Sequence, residues 1–201
     1  MITPRTVSLF LSLLTVLANA AVLTLVGLGL LARVSPSARA TLARLREAVR
    51  PSAPALAWLV AITATLGSLY FSEVAHFVPC RLCWYQRIGM YPLAVILAVA
   101  ALRQDAGVWR YAVPLALVAM PISAYHYALE WFPSLDAGAC DPSAPCTLVW
   151  FRELGFVTLP FMALSAFALI VTLLLLGRDA SPSEIAAPPP VSFEHRPKET
   201  R

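Results

Sequence analysis

Residues 79–102 read PCRLCWYQRIGMYPLAVILAVAAL. Beyond Arg87 no residue of this stretch carries a charge, and the block 84–102 is long enough to cross a bilayer core of about 30 Å as a helix. It must be a helix, because lipid offers no partner for unpaired backbone groups. The stretch opens with two cysteines separated by two residues. Thiol chemistry is therefore set at the mouth of a membrane span.

Four further apolar blocks flank it, at 8–32, 54–77, 111–131 and 154–176. Of the 201 residues 59% are hydrophobic and 13% charged, against about 25% charged in a soluble domain. The expected fold is all-α: a multi-pass membrane protein with five transmembrane helices and no room for a soluble catalytic domain. The net charge of +4 is no sign of nucleic acid as a partner; it reflects loop arginines that orient the spans.

Orientation follows from where those basic residues fall. Arg33, Arg39, Arg44, Arg46 and Arg50 follow the first span, Arg103 and Arg110 follow the third, and Arg178, Arg196, Lys198 and Arg201 follow the fifth. The opposite side holds Arg5, Arg81, Arg87 and Arg152. The positive-inside rule makes the richer side cytoplasmic. The amino terminus and all four cysteines then face outward, and the tail faces inward. Block 8–32 has a second reading as a cleavable signal peptide, with Arg5 ahead of it and Ala18, Asn19 and Ala20 as a small-residue site. Its apolar run continues to Leu31, beyond a signal core of about 7–15 residues, which favours a retained span. The loop 35–50 is expected to form a short amphipathic helix on the anionic inner leaflet. The tail, with Pro188, Pro189 and Pro190 among mixed charges, is expected to be disordered.

The spacing of Cys80 and Cys83 lets two sulfurs reach bonding distance at a helix start. Pro79 suits that start, and the positive end of the helix dipole is expected to favour the Cys83 thiolate. Arg87 shares a helix face with Cys83. A guanidinium one turn inside the bilayer needs a partner; the candidates are the Cys83 thiolate and a quinone carbonyl, with snorkelling to head groups as the plain alternative. Trp84, Tyr85 and Tyr91 read as an aromatic belt. A reactive pair at bilayer depth calls for an acceptor at the same depth, and a lipid-soluble quinone meets that need where a cytosolic nicotinamide does not. The second pair, Cys140 and Cys146, lies in a polar segment with Pro142 and Pro145. A disulfide there would be open to an incoming thiolate, or would only staple the loop.

These residues resemble the disulfide bond formation protein B (DsbB) family of bacterial membrane oxidases. The resemblance rests on Pro79-Cys80-Arg81-Leu82-Cys83-Trp84-Tyr85-Gln86-Arg87, the downstream pair, and Phe156-Val157-Thr158-Leu159-Pro160 opening the last span. It covers roughly 55–176 and points to the short-loop, BdbC-like branch, since five residues separate the outer cysteines. It implies three segments: an amino-terminal transmembrane helix with an Arg-rich loop (1–53), a four-helix redox core (54–177) and a cytoplasmic tail (178–201). It implies a monomeric thiol:quinone oxidoreductase of the bacterial inner (plasma) membrane, with both pairs on the periplasmic side and ubiquinone or menaquinone as cofactor. Cys83 would give electrons to the quinone beside Arg87, and Cys80 would exchange with the outer pair. Cys140 would form the mixed disulfide with a DsbA-like, thioredoxin-fold partner, and Cys146 would resolve it. The order of the pairs separates this family from the vitamin K epoxide reductases, which place Cys-x-x-Cys after the loop pair. Arg81 and the first span receive no role.

Glu73, His76 and His126 are further candidates, for proton handling or as interfacial residues satisfied by water and backbone. Two rivals predict different chemistry. A zinc site built from all four cysteines would bind metal and carry no redox activity; no metal is expected on the outward face. A transporter with stapled loops would show broken helices or midplane charge, and the span centres are bare of charge.

Overall fold

The computed structural model describes residues 3–178 apart from 137 and 139. The expected disordered tail, from 179 onward, lies outside the described residues. Among the described residues six α-helices follow in order: α1 (Pro4–Leu31), α2 (Pro36–Val49), α3 (Ala53–Leu69), α4 (Arg81–Arg103), α5 (Trp109–Trp131) and α6 (Leu159–Gly177). Among these residues five helical stretches are long and apolar enough to cross a membrane; one of them runs unbroken from Pro36 to Val74 through α2 and α3. Among the described residues there is no strand, only an isolated bridge between Glu153 and Val157.

The helix ends follow from local chemistry. Thr3 caps α1 by accepting the amide of Thr6, with Pro4 at the first helical position. Gln104 ends α4 in the left-handed region, and Asp105 takes the Gly107 amide at 2.8 Å to start the next turn. The last span begins later than the apolar pattern suggests. Leu154 and Gly155 have φ of 53° and 81° and form a turn closed by the Glu153–Val157 bridge, so α6 starts only at Leu159, ahead of Pro160. The segment 35–50 is helical as expected; one 3-10 turn, Arg50–Ser52, carries α2 into α3.

Helices α3, α4, α5 and α6 form an antiparallel bundle in which each packs on two neighbours. The interfaces use small residues, including Ala57, Ala61, Ala112, Ala116 and Ala119, around the buried Phe167. Small side chains let helix backbones approach where lipid provides no hydrophobic drive for association. Large apolar side chains such as Val95, Leu102 and Val118 point outward. Helix α1 packs against α6. Its Leu13, Leu17 and Leu23 face out while Ser8, Ser12 and Thr15 are buried, a polarity suited to lipid.

Candidate active site

Cys80 is not inside α4 but caps it: its Sγ accepts the amide of Cys83 at 3.3 Å. The field of the helix start therefore acts first on Cys80, although the sequence pointed to Cys83. Both are free thiols with Sγ atoms 2.9 Å apart. Closure to a disulfide, at about 2.05 Å, needs little movement. His126 on α5 stands behind Cys80. Gln86 Nε2 donates to His126 Nδ1 at 3.0 Å, which leaves Nε2 to carry the proton toward Cys80 Sγ at 3.6 Å. The Cys83 thiol, His126 and the Cys83 amide together hold the Cys80 thiol well below the ordinary thiol range, against the opposing effect of burial.

The outer cysteines, Cys140 and Cys146, are joined as a disulfide. Their ring is shaped by Asp141, whose Oδ1 accepts from the Ser143 amide at 2.8 Å and its hydroxyl at 2.6 Å. These bonds, the hydroxyl first, hold the exposed Asp141 carboxyl below the usual carboxylate range. Cys146 is fully buried and shares one cluster with Cys80, Leu82 and Leu129, while Cys140 is half-buried at its edge. The fold thus gathers two pairs from separate turns around one packed patch.

Two cavities meet at the inner pair. The larger, about 340 Å³, is apolar and bounded by α1, α3, α4 and α6; Cys83, Gln86, Arg87, Tyr91, Ser68 and Phe71 line one end. The smaller, about 120 Å³, is lined by Cys80, Cys83, His126 and Glu130 and by Ser143, Ala144 and Pro145 of the outer ring. Cys83 borders both cavities, and Cys80 only the second.

Arg87 is anchored to Ser68 on α3. Its Nε donates to Ser68 Oγ and its Nη2 to the Ser68 carbonyl, both at 3.1 Å. The rings of Trp84 and Tyr91 lie 5.1 and 5.9 Å from it. Tyr91, read as a belt residue, donates to Ser68 Oγ at 3.3 Å and lines the cavity. Ser68 was missed because a serine in an apolar span carries no signal of its own. Glu130 was missed as well. It follows His126 by one turn, is buried, and has an Oε2 with no hydrogen-bond partner. An acidic residue inside an apolar block was the available signal. Of the other candidates, Glu73 is exposed and accepts from its neighbour Ser72 at 2.9 Å, and His76 is exposed with φ of 57°. The four-cysteine zinc set is not assembled, since the outer pair is disulfide-bonded. Cys80, Cys83 and His126 do gather their ligand atoms within 4.8 Å.

Comparison with known proteins bears directly on this arrangement. The family model described as "Disulfide bond formation protein DsbB" matches residues 50–177. This chain belongs to the DsbB family. Among similar proteins are Disulfide bond formation protein C of Bacillus subtilis, 45% identical over 59% of this chain and 87% of its own length, and the Probable disulfide formation protein C of Halalkalibacterium halodurans, 48% identical over 59% and 88%. The Probable disulfide formation protein of Deinococcus radiodurans is 47% identical over 62% and 87%. No solved structure matches the chain. As a DsbB-family protein it is a multi-pass membrane protein-disulfide oxidoreductase that works with a thiol oxidase. The match begins at residue 50, so α1 and α2 lie before the DsbB-like region.

Proposed function

We propose that this protein reoxidises a DsbA-like, thioredoxin-fold dithiol oxidase outside the cytoplasm and passes the electrons to a quinone in the bacterial plasma membrane, acting as a monomer with both pairs on the periplasmic face. The observation that carries this reading is the position of the inner pair between two cavities. One leads to the outer disulfide ring through Cys80, and the other into an apolar chamber through Cys83.

The steps balance as thiol–disulfide exchanges. A donor thiolate attacks Cys140, the more exposed outer sulfur, and the Cys140–Cys146 bond breaks with Cys146 as leaving thiolate. The donor's second thiol, rather than Cys146, resolves the mixed disulfide, because attack by Cys146 on Cys140 would only reverse the first step; the donor is left oxidised and the outer pair a dithiol, two electrons and two protons richer. Cys146, packed in the cluster with Cys80, then attacks it in the inner disulfide and expels Cys83 as thiolate. Cys140 closes on Cys146, and the inner pair is left as the dithiol. The His126 imidazole and the Cys83 amide stabilise thiolate character on Cys80.

The larger cavity fits a quinone. It is apolar, within the usual size range of ligand sites, and carries Arg87, Tyr91 and Gln86 beside Cys83 as hydrogen-bonding groups for ring oxygens. A quinone bound there would supply the sink for the two electrons and two protons that the inner dithiol gives up on closing to a disulfide. Ubiquinone and menaquinone both meet these requirements. The Ser68 bonds fix the guanidinium so that its charge faces the chamber without the entropy of a free side chain.

The test supplies purified protein with a reduced thioredoxin-like donor and a soluble quinone, and follows quinone absorbance. Quinone is expected to be consumed, with activity abolished by Cys83→Ala or Cys140→Ala. Turnover that persists after all four cysteines are replaced removes the relay.

A further inference from the structure

Helix α1 lies outside the DsbB-like region, yet it forms one wall of the larger cavity. Leu11, Leu14, Thr15 and Ala18 line it from α1, facing Leu59, Val60 and Thr63 on α3. Leu11 reaches across to α3, where a Cβ on Gly67 would come within 2.8 Å of its Cδ1. Two hydrogen bonds fix α1 in this place. Ser8 Oγ donates to Glu153 Oε1 at 2.7 Å near the outer surface, and Asn19 Nδ2 donates to Ser165 Oγ on α6 at 2.7 Å, about 16 Å deeper along the helix. Such bonds hold helices together where lipid gives no hydrophobic drive. The leucines of α1 that miss the cavity, such as Leu17, face outward.

The cavity is longer than a ring site requires. Its redox end lies at Cys83, Arg87 and Ser68, whereas Leu59 lies about 14 Å farther along α3. No charged side chain lines this deeper part, between α1, α3 and α6. We propose that α1 converts the acceptor site into a groove for the apolar chain of a long-tailed quinone, so that Leu14, Thr15 and Ala18 set the preference for tailed over tail-less acceptors. This rests on the quinone reading above and adds a residue-level claim to it: the head is held by α4 and the tail by α1.

The first experiment needs no variant. A quinone carrying a photoactivatable group on its isoprenoid chain is bound to the full-length protein, irradiated, and the labelled peptides identified. Label is expected on α1 between Leu11 and Ala18 and on the facing part of α3; label confined to outward-facing positions overturns the proposal. The second compares Ala18→Phe, which fills the groove, with Leu17→Phe, which points to lipid. Ala18→Phe is expected to raise KM for a long-tailed quinone roughly tenfold while leaving KM for a tail-less benzoquinone and kcat unchanged, and Leu17→Phe to change neither. Equal effects on both quinones, or no effect in a variant that still turns over, also overturn it. A wild-type protein that reduces neither quinone ends the acceptor reading itself. One that reduces both with no tail label on α1 ends only the role of α1.

Discussion

Cys80 carries two functions at one atom: it caps α4 and it forms half of the inner pair. Its thiol is held low by the Cys83 thiol and by His126, so thiolate persists at acidity where an ordinary thiol, with pKa about 8.5, is protonated. In reduced protein with Cys140 and Cys146 replaced, alkylation at Cys80 is expected to stay fast at about pH 6 and to fall only at lower pH, as protonation overtakes the lowered pKa. His126→Ala removes the 3.6 Å contact and is expected to move that fall toward higher pH, slowing alkylation at about pH 6 severalfold. Coincident pH profiles for the two proteins would remove His126 from the control of Cys80. Arg87 makes a separate prediction. Arg87→Ala is expected to raise the KM for quinone by about tenfold or more, as loss of a charged hydrogen bond does, with donor-to-Cys140 exchange unchanged by stopped-flow. Ser68→Ala, which removes the hydroxyl bond to the guanidinium and leaves the one to the backbone carbonyl, is expected to give a smaller rise in the same direction.

At the level of helices, close approach is set by residues without bulk. A Cβ on Gly89 of α4 would stand 2.7 Å from the Ala119 Cβ on α5 and 3.4 Å from Phe167 on α6. Ala119 cannot rotate away, so the helices must separate. Gly89→Leu is expected to lower stability by about 1–3 kcal/mol, read as an earlier midpoint in denaturant-detergent unfolding followed by circular dichroism. The joint between α1 and the bundle is polar instead. Asn19→Leu removes the bond to Ser165 and is expected to cost about 0.6–2 kcal/mol, with easier release of α1 to proteolysis and no change in the midpoint for the four-helix core. The late start of α6 belongs to this scale too. The turn at Leu154 and Gly155 lets Glu153 meet Ser8 while Thr158 and Pro160 begin the helix.

For the whole molecule, side-specific access decides the proposed route. The route needs the cysteine turns outward, as the arginine counts predict, and the fold brings those turns to one end of the bundle. After reduction of intact cells, a membrane-impermeant maleimide is expected to label Cys140 first, because Cys146 is buried. Labelling of either pair only in inverted vesicles would place the pairs on the wrong side for a periplasmic donor.

Composition and charge placement were enough for an all-helical membrane chain with five spans, because lipid enforces helices and loop arginines bias insertion; both constraints act locally along the sequence. The two cysteine pairs and Arg87 stand out in the sequence for the same reason, as unusual residues at span ends. Ser68 beneath Arg87, His126 behind Cys80, Glu130 in the smaller cavity and α1 as a cavity wall were decided only by tertiary packing. Each depends on which face of one helix meets another, and in lipid that choice rests on small residues and single hydrogen bonds, which leave almost no mark on hydropathy.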